Sequence, residues 1–163
     1  MAETMHRTDG QDGEEEISTQ AIAFFLHLFL ALIVWAGLMA IGYILNPVGL
    51  SQMVILAASF VVPALFGNLI IRFRKDEIAR SLWLAGIIWI LVFALWILDM
   101  PTGPNACYQC DAGEKLSRTF FSMPRPSGLI DNDGPFLATW PAAALIGYAI
   151  GARLGYKPRS RTR

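Results

Sequence analysis

The chain has 163 residues, 55% of them hydrophobic and 16% charged, with 13 basic and 13 acidic side chains and a formal net charge of zero. Soluble domains carry about 25% charged residues, so this deficit, with a mean hydropathy of +0.47, points to one integral membrane domain. The cations sit beside apolar runs rather than on a soluble basic face, which argues for the lipid bilayer and against nucleic acid as a partner.

Residues 1–20 hold six carboxylates and one arginine. A secretory signal needs a cationic start and a shorter apolar core, and a transit peptide is Arg-rich and acid-poor; this segment is neither. Gly, Asp, Glu, Gln and Thr dominate it and leave little to bury, so residues 1–19 are expected to form a disordered acidic cytoplasmic tail.

Residues 20–155 are expected to form the membrane domain. Its first span, 21–45, has His27 as its one strongly polar member. At ~1.5 Å per residue such a run reaches ~37 Å, enough to cross the hydrocarbon with some tilt. Asn46-Pro47 ends it, because proline lacks the amide hydrogen and restricts the residue before it. The second span, 50–71, contains Pro63, which removes the backbone bond to Ser59; a kink is expected, with the Ser59 hydroxyl a local partner for the freed group. The charged break 72–80 follows, then a third span, 81–98, with Trp83, Trp89 and Trp96. Residues 99–135 form the long connection and hold both cysteines. The fourth span, 136–153, is interrupted by Pro141 and runs into a basic tail, 156–163.

Lys and Arg are unequally divided. The break 72–80 has four, residues 153–163 have five, the N-terminal tail has one and the long connection has three: Lys115, Arg118 and Arg125. Clustered cations stay in the cytoplasm. The expected fold is therefore an all-α, four-span bundle with cytoplasmic N and C termini and an extracytoplasmic loop between the third and fourth spans, in the plasma (inner) membrane.

The outer loop carries Cys107-Tyr108-Gln109-Cys110. In an oxidising compartment these thiols pair as a structural disulfide; a redox-active dithiol and a metal site drawing on Asp111 and Glu114 are the alternatives. A four-helix bundle with an external C-x-x-C resembles the quinone-linked disulfide-generating oxidases in that motif and in helix count. The resemblance implies electron relay through a second cysteine pair, and this chain has two cysteines in all. Downstream, Leu116, Phe120 and Met123 fall at i, i+4 and i+7 opposite Glu114, Lys115 and Arg118, the pattern of a short amphipathic helix on the bundle or membrane surface.

Within the membrane, His27 and Asn68 lie at similar depth on adjacent antiparallel helices and are a candidate hydrogen-bonded pair. Such pairs act as interhelical glue worth ~0.6–2 kcal/mol, or mark a proton or ligand site. Ala143, Gly147, Gly151 and Gly155 recur at steps of four, leaving one helix face nearly bare for close backbone approach by another helix or another subunit. No phosphate loop, zinc-protease motif, nucleophile elbow or paired carboxylates appear, which weighs against an enzyme and implies no cofactor. Three functions fit, in this order: a structural or accessory subunit of a larger membrane assembly, self-associating or joining other subunits through the fourth span; a thiol oxidoreductase using Cys107 and Cys110; and a small transporter or channel component with His27 and Asn68 near its path.

Overall fold

The computed structural model describes residues 8–45, 52–101, 110–121 and 134–156. These form helices α1 (Thr8–Leu45), α2 (Gln52–Phe73), α3 (Leu82–Asp99), α4 (Ala112–Phe121), α5 (Gly134–Leu137) and α6 (Thr139–Gly155), with a 3-10 turn at Glu77–Ser81 between α2 and α3. No strand occurs among the described residues. Among the described residues, four stretches are long and apolar enough to cross a membrane: Ile17–Ile44, Met53–Phe73, Glu77–Asp99 and Pro135–Gly155. The chain is a multi-pass, all-helical membrane protein.

The first helix begins at Thr8, not at the edge of the apolar run. Residues 8–19 of the acidic segment thus belong to α1. Glu14, Glu15 and Glu16 are good helix formers. Residues 1–7 and 157–163, most of the long connection including Cys107 and Met123, and the link 46–51 fall outside the described residues.

The four spans are not equivalent. Two thirds of the α5–α6 span (67%) is buried inside the protein, against 11%, 22% and 17% for the spans of α1, α2 and α3. The α5–α6 span is thus the core, and the other three spans wrap it. Its composition explains this: Ala142, Ala144, Ala149 and Ala152, with Gly147 and Gly151, are all buried on α6 and allow neighbours to approach on several sides. In lipid, where apolar burial drives little association, such close van der Waals packing holds helices together. The large apolar side chains of α1–α3, among them Phe25, Phe29, Leu65, Leu69, Ile88 and Leu95, point away from the core and are exposed, as lipid-facing residues are.

The small-residue face of α6 packs on α2 of the same chain. A Cβ placed on Gly147, Gly151 or Gly155 would stand 3.2, 2.8 and 3.1 Å from the Cα atoms of Phe60, Ala64 and Asn68 respectively. Both series rise in steps of four, so α2 and α6 run parallel. Gly67 answers from the α2 side, against the backbone carbonyl of Tyr148, and Gly86 of α3 meets Ala142 and Ile146.

Two prolines behave differently from expectation. Pro63 lies within α2, but the nearby Ser59 hydroxyl is buried with no hydrogen-bond partner among the described residues, so it does not serve the freed backbone group. Pro141 sits in the first turn of α6, where its missing N–H would have had no helical acceptor; it does not interrupt the helix. The break in this span falls earlier, at Ala138 between α5 and α6.

The end of the bundle remote from the charged linker is closed by α4, α5 and aromatic rings. Asp111 caps α4 by accepting the Glu114 amide at 2.6 Å, and Thr119 and Phe120 of α4 are buried. Thr139 Oγ1 donates to the Phe120 carbonyl at 2.9 Å, and Trp89 Nε1 donates to the Leu137 carbonyl at 2.8 Å. Lys115 reaches back to the Met100 carbonyl at 2.7 Å, so it is a tie to α3 rather than a member of the solvated face. Trp35 packs on Phe136, and Phe136 on Trp140, with centroids 5.2 and 5.9 Å apart.

Candidate functional site

The polar groups that come together do so at the opposite end, where α1, the 74–81 linker, α3 and α6 converge. His27 is 1% exposed and Tyr148 0%. An unpartnered polar group at such a place costs several kcal/mol in an apolar surround, and both ring nitrogens are engaged. Nδ1 lies 2.8 Å from the Tyr148 hydroxyl and Nε2 lies 3.2 Å from Asp76 Oδ2. Arg74 Nε reaches the same carboxylate oxygen at 3.2 Å. A carboxylate accepts only, so Nε2 carries a proton and donates to Asp76, while Nδ1 is hydrogen-bonded with the Tyr148 hydroxyl. The series Tyr148, His27, Asp76, Arg74 runs from the core to the surface and joins α6, α1 and the linker.

A second series ties the linker to the end of α6. The Tyr156 hydroxyl donates to Glu77, Arg80 pairs with the other Glu77 oxygen at 3.1 Å, and the Arg80 guanidinium lies over the Tyr156 ring, 4.5 Å from its centroid. The Tyr156 phenol is held above its ordinary value, first by its hydrogen bond to Glu77, then by desolvation and the Glu77 charge, with Arg80 opposing.

Beside these two series opens a cleft of about 940 Å³ between α1, the linker, α3 and α6. Thr19, Gln20 and Ala23 of α1 line one side, Lys75, Asp76, Glu77 and Arg80 the linker side, Trp83 the α3 side, and Ile146, Ala149, Ile150 and Arg153 the floor from α6.

The expected His27–Asn68 pair does not form: Tyr148 and Asp76 take both nitrogens of His27, while Asn68 lies at the α2–α6 seam with its backbone against Gly155. Ala143 shares the α6 face of Gly147, Gly151 and Gly155, and those three glycines meet α2; they are not open to another subunit. Cys110 stands two residues before α4 and is engaged rather than free, and its expected partner Cys107 lies outside the described residues. Of the carboxylates in the metal alternative, Asp111 caps α4 and Glu114 pairs with Arg118. Among the described residues no three His, Cys, Asp or Glu side chains gather to hold a metal ion. Tyr148, Asp76 and Arg153 were not singled out from sequence; matching the depth of His27 against the fourth span as well as the second would have raised Tyr148. Comparison with protein-family models, curated proteins and solved structures finds no match.

Proposed function

We propose that the chain is a structural or accessory subunit of a larger membrane assembly, with its charged linker and both ends in the cytoplasm and the 99–135 connection outside, in the plasma (inner) membrane. The supporting observation is the use made of the polar side chains. The buried groups, Tyr148 and His27, are matched to partners that fasten one element to another, and Glu77, Arg80 and Tyr156 do the same at the surface. A catalytic group must be aimed at a place where a reacting atom can sit; these are aimed at each other. The orientation rests on the excess of Lys and Arg at the linker end. Cys107 and Cys110 fit this reading as a structural disulfide ahead of α4, supported by the engaged state of Cys110.

Because the glycine face is occupied by α2, partner contacts fall to the lipid-facing surfaces of α1, α2 and α3. Cross-linking in intact membranes, then purification in mild detergent, tests the subunit role. A discrete adduct with another membrane protein or a second copy is expected; recovery of the 18.0 kDa chain alone would sink it.

A further inference from the structure

We propose that the cleft at the linker end holds the phosphate headgroup of an anionic phospholipid, with the upper acyl chains lying along α6. This goes beyond the subunit role and does not depend on it.

Charge comes first. Lys75, Arg80 and Arg153 line the cleft together with Asp76 and Glu77. Both carboxylates are already answered: Asp76 by Arg74 and His27, Glu77 by Arg80 and the Tyr156 hydroxyl. Lys75 and Arg153 are exposed and have no ion-pair partner among the described residues. Among the described residues the cleft therefore presents two cations without an ion-pair partner, one on the linker and one on α6, beside the Arg80 guanidinium that pairs with Glu77.

Depth comes next. Arg153 occupies the last turn of α6, and Thr19 and Gln20 lie near the start of the Ile17–Ile44 span. The charged rim thus sits where headgroups meet hydrocarbon. Toward the bilayer centre the wall becomes apolar, with Ile146, Ala149 and Ile150 on one side and Trp83 on the other. A free anion would use only the rim. A molecule with a phosphate at one end and hydrocarbon at the other uses both parts. Pockets of roughly 300–1,000 Å³ enclose ligands of drug size, the size of a headgroup, its glycerol and the first methylenes. Basic pockets between spans on the cytoplasmic side hold anionic headgroups by the same charge complementarity.

The test uses the full chain in mild detergent, offered equal amounts of phosphatidylglycerol and phosphatidylcholine, with retained lipid counted by native mass spectrometry. Phosphatidylglycerol should be retained in preference. The preference should fall about fivefold for each cation removed in Lys75→Gln and Arg153→Gln, stay unchanged in Arg72→Gln, whose side chain is off the cleft, and survive the charge-preserving pair Lys75→Arg with Arg153→Lys. Equal retention of the two lipids, or a preference that ignores the cleft variants while the charge-preserving pair remains folded, overturns the site. Displacement of the lipid by inorganic phosphate as readily as by added phosphatidylglycerol overturns the lipid assignment in favour of a soluble phosphate.

Discussion

His27 of α1 and Tyr148 of α6 are separated by 121 positions in the chain and by 2.8 Å between Nδ1 and the phenol oxygen. The contact joins the helix that opens the bundle to the helix at its centre, and Asp76 continues it to the linker. Hydrogen bonds between membrane helices contribute about 0.6–1.7 kcal/mol by double-mutant cycles. Tyr148→Phe should therefore lower stability by about 1 kcal/mol, and the cycle with His27→Ala should show coupling of that size. The same cycle between His27→Ala and Asn68→Ala should show none. Reversible unfolding in mixed detergent gives the three numbers, and strong His27–Asn68 coupling would contradict the arrangement.

The glycine series gives a sharper contrast. A side chain at Gly151 collides with the backbone of Ala64, which cannot yield as a flexible side chain would, whereas a Cβ at Gly37 of α1 meets nothing within 4 Å. Overpacking usually costs 1–3 kcal/mol, and more where backbone must move. Gly151→Leu is expected to exceed about 3 kcal/mol and give little monodisperse protein, while Gly37→Leu should be tolerated. Because the clash is within one chain, the loss should not depend on protein concentration; a loss rescued by raising concentration would return the glycine face to an intersubunit role.

These same glycines explain what was and was not legible in the chain. The spans were readable because long apolar runs are cut by Asn46-Pro47 and by the cationic break 72–80. The partner of His27 was not. Equal depth along the membrane normal made Asn68 eligible, but a hydrogen bond also needs the right rotation about each helix axis. The rotation of α6 is set by Gly147, Gly151 and Gly155 seating on α2, and that seating turns Tyr148, next to Gly147 and about 100° further round the helix, toward α1. The seating also holds Asn68 at the seam, away from His27. The pattern of small residues was visible in sequence; the identity of the surface they meet was not, and every side-chain partnership at the linker end follows from it.

Three tryptophans at the other end separate hydrogen bonding from packing. Trp89 donates to the Leu137 carbonyl at 2.8 Å, whereas the indole nitrogens of Trp35 and Trp140 are buried with no hydrogen-bond partner among the described residues. Losing one partner of a buried pair strands the other, at about 1–3 kcal/mol; losing an unpaired donor strands nothing. Trp89→Phe should be measurably destabilising, through both the lost bond and the lost ring area. Trp140→Phe should cost less, since the burial penalty of its N–H disappears with the ring change. Thermal unfolding of the two variants in the same detergent orders them, and a larger loss for Trp140→Phe would mean that its nitrogen has a partner.

At the surface, pH tests the Tyr156–Glu77 tie. The hydrogen bond to Glu77, chiefly, raises the Tyr156 pKa above its ordinary value. A group whose pKa is raised on folding stabilises fully below the unfolded value, about 10 for tyrosine, and loses that contribution as pH climbs through the folded value. The stability gap between the wild type and Tyr156→Phe should therefore be level from neutral pH to mildly alkaline pH and shrink only in strong alkali. In a phenolate absorbance titration, the step missing from Tyr156→Phe should lie above the ordinary tyrosine range, and Glu77→Ala should bring it back down by removing both the acceptor and the charge. A Tyr156 step already at the ordinary value in the wild type would mean that the phenol and Glu77 do not meet, and that the end of α6 is not fastened to the linker through them.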